Sequence, residues 1–242
     1  MRISCILSGR APVVFGLLTL LATSLQATST FTLTGVDSAR GANVTFYNVV
    51  KGANEQGFAG AILGSFDGVN ISPLFCVDLY TDINYGAYTS VAITPRPARQ
   101  EDRVAWLYLN QLSTVNSADT GLAFQLAIWD IVHDNGDGLA AGLVQNSSTS
   151  FIGLTQIQMD LATGYINSSV GHSATLGLNV YLNTDPTTGA PAQTLIGLAA
   201  PVPEPATGSL AVLGIAYLVM HARKKRGERG SGGTVTNCDL GL

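Results

Sequence analysis

Two residues of this 242-residue chain sit oddly in their surroundings, and both belong to reactive types. The first is Cys76, in Pro73-Leu74-Phe75-Cys76-Val77-Asp78-Leu79, a strand-like run with apolar residues on either side of the thiol. The other two cysteines, Cys5 and Cys238, lie near the ends of the chain, so the central region has no partner for an internal disulfide. The second is Gln125, which interrupts an otherwise apolar helical run, Ala123-Phe124-Gln125-Leu126-Ala127-Ile128-Trp129-Asp130. A buried amide left without hydrogen-bond partners costs about 1–3 kcal/mol, so this side chain must be engaged. A thiol set against a glutamine side chain offers a covalent route. It can displace ammonia and leave a γ-glutamyl thioester, which consumes both the free thiol and the amide.

Other polar candidates read as structural. Asp78, two residues after Cys76, falls on the same strand face and could orient a nucleophile or simply end the strand in solvent. Trp129 reads as a core residue beside the reactive pair. Asp130, His133, Asp134 and Asp137 crowd the run Asp134-Asn135-Gly136-Asp137-Gly138, but the spacing departs from an EF-hand loop. This segment is expected to be a helix end followed by an Asx/Gly turn, with no metal. His133 and His172 are the only histidines of the central region, too few for a multi-histidine zinc site. No Gly-x-Ser-x-Gly elbow, phosphate loop or paired-cysteine zinc motif occurs, and no cofactor is expected. A hydrolase built on Asp78, Asp130 or His133 would need those groups to converge in a cleft.

The elements that must position Cys76 and Gln125 follow from periodicity. β-Branched and aromatic residues bounded by Gly, Asn and Asp predict strands at 30–36, 43–50, 58–63, 74–80 and 88–94. Helical spacing predicts helices at 101–111, 118–133 and 154–165, with Ser117 or Asp119 capping the second and Ile157 and Leu161 sharing a face of the third. Leu122, Phe124, Leu126, Ile128, Trp129, Ile131 and Val132 surround most of the second helix, which should therefore be buried. Strands return at 174–182 and 193–198. Strands, then helices, then strands predict an α+β fold: a β-rich, sandwich- or barrel-like domain with an inserted helical subdomain.

The ends differ in kind. Residues 1–27 read as a secretory signal, with Arg2 and Arg10 before an apolar stretch and small residues near Ala22 and Ala27 for cleavage. Near the other end, Pro203-Glu204-Pro205 precedes an apolar run and then Arg223-Lys224-Lys225-Arg226. That run suits a short membrane helix, with the basic cluster on the cytoplasmic side. Residues 202–226 resemble the PEP-CTERM sorting signal of Gram-negative surface and exopolysaccharide-associated proteins. The resemblance implies an inner-membrane precursor facing the periplasm, recognition by an exosortase-type enzyme, and release to the cell surface or extracellular matrix. Residues 227–242 form an unassigned polar tail, and 28–201 remain as the exported domain.

Charge sharpens this division. Only 12% of residues are charged, against about 25% in a typical soluble domain, which argues against a nucleic-acid partner held by a basic face. The net −4 of the whole chain conceals −8 between Thr28 and Val202, where thirteen acidic residues face five basic ones and Lys51 is the single lysine.

Phe75-Cys76-Val77-Asp78 and Phe124-Gln125-Leu126-Ala127-Ile128-Trp129 together resemble the thioester domains of bacterial surface adhesins, as does the helix around Trp106 between them. The resemblance implies a Cys76–Gln125 thioester that attaches the protein covalently to an amine of a surface partner. Such acyl transfer runs once without turnover, so the protein is not expected to be an enzyme. The scarcity of lysine around an electrophile aimed at amines accords with it. The alternative is a non-reactive structural protein of the biofilm or exopolysaccharide matrix.

Overall fold

A computed structural model describes residues 28–200. The signal, the sorting signal and the polar tail therefore lie outside the described residues. Among the described residues, no helix is long and apolar enough to cross a membrane.

The alternating apolar residues build seven strands: β1 (Thr28–Asn48), β2 (Ala53–Phe66), β3 (Val69–Cys76), β4 (Gly86–Ile93), β5 (Phe151–Ile152), β6 (Leu178–Thr184) and β7 (Leu195–Leu198). All their pairings are antiparallel, in the order β2-β3-β7-β6-β4-β1-β5, and β1 also pairs with β2. That last pairing closes six strands into a ring, which leaves few open edges. The far halves of β1 and β2 run on beyond the ring as a two-stranded arm, and β5 adds to the arm's outer edge through Thr45–Ile152 and Phe46–Phe151.

Three helices, α1 (Glu101–Gln111), α2 (Ala118–Asp134) and α3 (Gln156–Ser168), fall between β4 and β6 in the chain. The mixed helix-and-sheet character expected from the sequence is present. So are the bounds of α1, while α2 runs one residue further than expected. Helix α2 packs on α3, β1 and β2. Every residue from Gly121 to Ile131 is buried. Phe75 of β3 meets Phe124 of α2 at 4.8 Å and Tyr108 of α1 edge-on at 6.0 Å. Each such fully buried aromatic contributes about 1.5–3 kcal/mol of burial energy, so this junction anchors the helices to the ring.

Several expected boundaries need correction. The two strands expected at 30–36 and 43–50 are one strand, β1. The polar stretch between Val36 and Gly41 is an irregularity in its pairing, tied by an Arg40–Asp37 ion pair of 2.7 Å, and not a turn. The strand expected at 74–80 lies earlier, because Val69 onward pairs with β2 and the ladder stops at Cys76. Helix α3 starts two residues late, where the Thr155 side chain caps it by accepting from Gln158 N–H. Its buried face is Ala162, Tyr165 and Ile166, with Leu161 partly buried against the core, while Ile157 is 65% exposed and does not reach the core. The strand expected to open at 174 opens at Leu178, and the one expected at 193 opens at Leu195.

Candidate functional site

Strand β3 delivers Cys76 at its last position, where it pairs with Leu195 of β7, next to the Phe75–Ile196 pair. Helix α2 delivers Gln125. Its start is fixed by a reciprocal capping box between Ser117 and Thr120. Its approach to the sheet is fixed by Gly121, where a Cβ would lie 2.1 Å from the backbone oxygen of Arg40. Only a glycine lets the helix sit that close to β1. Gln125 is one turn further on and points at the end of β3.

The two residues meet. Cys76 N–H donates to Gln125 Oε1 at 2.9 Å, and Gln125 Nε2 donates to the Cys76 carbonyl at 2.7 Å. The carboxamide therefore grips the backbone of the very residue whose thiol could attack it. Gln125 is fully buried and Cys76 nearly so. Burial, with Asp78 nearby, pushes the Cys76 thiol far above its ordinary range, because a thiolate there would lose its hydration. In its free form Cys76 is thus a neutral thiol and no ready target for oxidants.

A cavity of about 630 Å³ opens onto Cys76, with Gln125 buried behind it. Cys76, Trp129, Gln193, Phe46, Tyr85 and Asp82 are among its lining residues. Trp129 stacks on Phe151 at 5.6 Å and is 4% exposed, yet its indole N–H has no hydrogen-bond partner. Glu55 and Asp82, also in the lining, hold the Lys51 ammonium at 2.7 and 3.1 Å. Those two hydrogen bonds raise the Lys51 pKa, which keeps this amine protonated.

No family model matches the chain, and no curated protein matches it. Among solved structures, the N-terminal domain of the Streptococcus pyogenes pilus tip adhesin Cpa aligns with a TM-score of 0.38 and 10% identity. The alignment covers 69% of this chain and 96% of that one.

The remaining expected site residues fall elsewhere. Asp78 does not share a strand face with Cys76, because the strand has already ended. Its Oδ1 accepts from Arg99 at 3.0 Å and its Oδ2 from Thr194 N–H at 3.2 Å, so it clamps the end of β3 to the approach of β7. Val77 N–H continues that clamp to the Thr194 carbonyl at 2.8 Å, and Gln193 donates to the Asp78 carbonyl at 3.0 Å. His133 Nε2 lies 3.2 Å from the Val77 carbonyl, and burial lowers its pKa. Asp78 is thus paired to Arg99 and Thr194, and His133 faces the backbone, so the hydrogen bonds of Asp78 and His133 are not to one another. Trp106 of α1 stacks face to face on His172 at 4.2 Å. Pro203, Glu204, Pro205, Arg223, Lys224, Lys225 and Arg226 lie outside the described residues. Gln193 and Thr194 could not have been singled out beforehand, since they act through backbone pairing that leaves no residue-type signature.

Proposed function

We propose that this chain is an exported surface protein whose domain holds an internal thioester between Cys76 Sγ and Gln125 Cδ and uses it to capture primary amines. The observation that carries the reading is the two-bond grip of Gln125 on the Cys76 backbone. In the bond-forming step, Cys76 Sγ adds to Gln125 Cδ and the thiol proton passes to Nε2. The Cδ–Nε2 bond then breaks and ammonia leaves. Negative charge developing on Oε1 faces the Cys76 N–H, a donor already in place at 2.9 Å. In the capture step, an amine nitrogen attacks Cδ, the Cδ–Sγ bond breaks, the proton returns to sulfur, and a stable amide remains.

The cavity supports the second step. Its size lies in the range of small-ligand sites, and its lining carries aromatic faces suited to an approaching lysine side chain. The buried apolar residues of α2 on either side of Gln125 limit the water that competes as nucleophile. Lys51 is held as an ammonium by two carboxylates and so is a poor internal competitor. The reaction consumes the protein once, which sets it apart from an enzyme. The sorting-signal resemblance of 202–226 supports the rest of the reading. The precursor is held in the inner membrane, an exosortase-type enzyme processes it, and the domain is displayed at the surface or in the matrix. There it meets a protein amine or a polysaccharide partner.

A second reading has its own observation: both hydrogen-bonding ends of Gln125 are already satisfied with the thiol free, as a purely structural clamp requires. Methylamine labelling separates the two. The thioester form is expected to gain about 31 Da on the peptide carrying Gln125 while the Cys76 thiol is released in equal amount. A structural clamp incorporates no amine, and its Cys76 is a free thiol in the unfolded protein before any treatment.

A further inference from the structure

We infer that the end of α2 and the loop after it bind a calcium ion through Asp130, Asp134 and Asp137, at a site separate from the Cys76–Gln125 pair. One carboxylate oxygen from each of the three lies within 4.8 Å of the others. Three atoms no farther apart than that share a point within about 2.8 Å of each, close to calcium–oxygen distances of about 2.3–2.6 Å.

Converging carboxylates alone do not make a site. The independent observation is the state of Asp130, which is fully buried and whose Oδ1 has no hydrogen-bond partner. Its Oδ2 has only a long contact to Gly138 N–H at 3.4 Å. An ionised carboxylate taken out of water must be compensated. Protonation alone is a poor remedy, since an O–H on Oδ1 meets no acceptor. Nor does Arg103 bond to this carboxylate. Its guanidinium is spent on Ser169 Oγ and on the carbonyls of Asn135 and Ile166. Three carboxylates against that one neighbouring positive charge leave −2, which a divalent cation balances.

The chemistry selects the ion. The donors are all oxygen, and the one nearby imidazole, His133, faces the Val77 carbonyl, which disfavours zinc. Two carboxylates at the end of α2 and one on the glycine-containing loop after it suit the large, irregular shell of calcium better than the rigid octahedron of magnesium. Asp134 already orders the loop, since its Oδ2 accepts from Leu143 N–H at 2.9 Å and Val144 N–H at 2.8 Å.

The test is thermal unfolding of the purified full chain in chelator, in calcium chloride and in magnesium chloride, with calorimetric titration of calcium. Calcium is expected to bind one-to-one and to raise the melting temperature by about 5 °C or more at saturation, with magnesium giving less than half that shift at equal concentration. Asp137 is exposed, so Asp137→Asn should fold normally and bind calcium about tenfold or more weakly. Asp130→Asn should lose the calcium response, yet melt in chelator at or above the wild type, because the buried uncompensated charge is gone. Asp160→Asn, on the exposed face of α3, should leave the response unchanged. The absence of calcium binding by the wild type would overturn the site, as would an undiminished response in Asp130→Asn and Asp137→Asn. An equal response to magnesium would overturn the assignment to calcium.

Discussion

Gln125→Ala is expected to abolish amine capture and to destabilise the domain by about 3–5 kcal/mol even where no covalent bond is present. The size follows from what is left behind. Truncation takes a side-chain partner from both the Cys76 N–H and its carbonyl, across 49 residues of sequence, and opens a void in a fully buried position. Cys76→Ala separates the two contributions, because it keeps the Gln125 grip on the backbone and removes only the sulfur. If the thioester is present, Cys76→Ala also removes a cross-link closing a loop of about 50 residues, worth up to about 4 kcal/mol by the chain-entropy estimate used for disulfides. If the thiol is free, Cys76→Ala costs only a small buried volume, about 1 kcal/mol. Urea unfolding of the two variants and the wild type reads both differences, with amine incorporation read on the same samples.

Gly121→Ala is expected to be nearly as damaging, although alanine is ordinarily the better helix former by about 1 kcal/mol. The added methyl would meet the carbonyl oxygen and carbon of Arg40 at 2.1 and 2.2 Å. These are backbone atoms within the irregularity of β1, so no side-chain rotation relieves the clash. The helix must move away from the strand, and the net loss should be about 2 kcal/mol or more. The functional consequence distinguishes this position from an ordinary core site. Because Gln125 lies one turn beyond Gly121, the displacement lengthens its hydrogen bonds to Cys76, and amine incorporation should fall by about tenfold or more even in the fraction that stays folded. Unchanged incorporation in a folded Gly121→Ala variant would show that α2 does not need this approach to set the site.

Much of this arrangement was legible in the residues, and the reasons differ from place to place. Helix α2 could be read because its apolar residues cover nearly the full circumference and Ser117 caps it. Gln125 stood out for the same reason, as the one amide among them. The pairing of Cys76 with Gln125 rests on two short motifs, whereas the geometry that makes it reactive, a side chain bonded to another residue's backbone, has no signature of its own. Strand β1 was read as two because Asp37 to Gly41 carry turn-like residues. Those residues are accommodated in a pairing irregularity, which local propensity does not distinguish from a turn. Alternation places Asp78 on the strand, because it cannot say where a ladder stops. Its pairing with Arg99, 21 residues away, and with Thr194, 116 residues away, stops it. Ile157 shows the opposite error. It matches helical spacing, but α3 buries the next turn of the helix against its neighbours, leaving Ile157 outside.

For the acidic cluster at the end of α2, a spacing that departs from an EF-hand loop predicts only a turn. Only the fold reveals that Asp130 is buried with an unpartnered oxygen and that its other oxygen has only a long contact to Gly138 N–H.

The central claim, that Cys76 and Gln125 are joined by a thioester, is tested most directly by the intact mass of freshly purified protein alongside its Cys76→Ala variant. The wild type is expected to weigh about 17 Da less than its processed sequence requires, one ammonia having left, while Cys76→Ala has the full mass of its own sequence. A wild-type mass equal to that of the unmodified sequence would contradict the account.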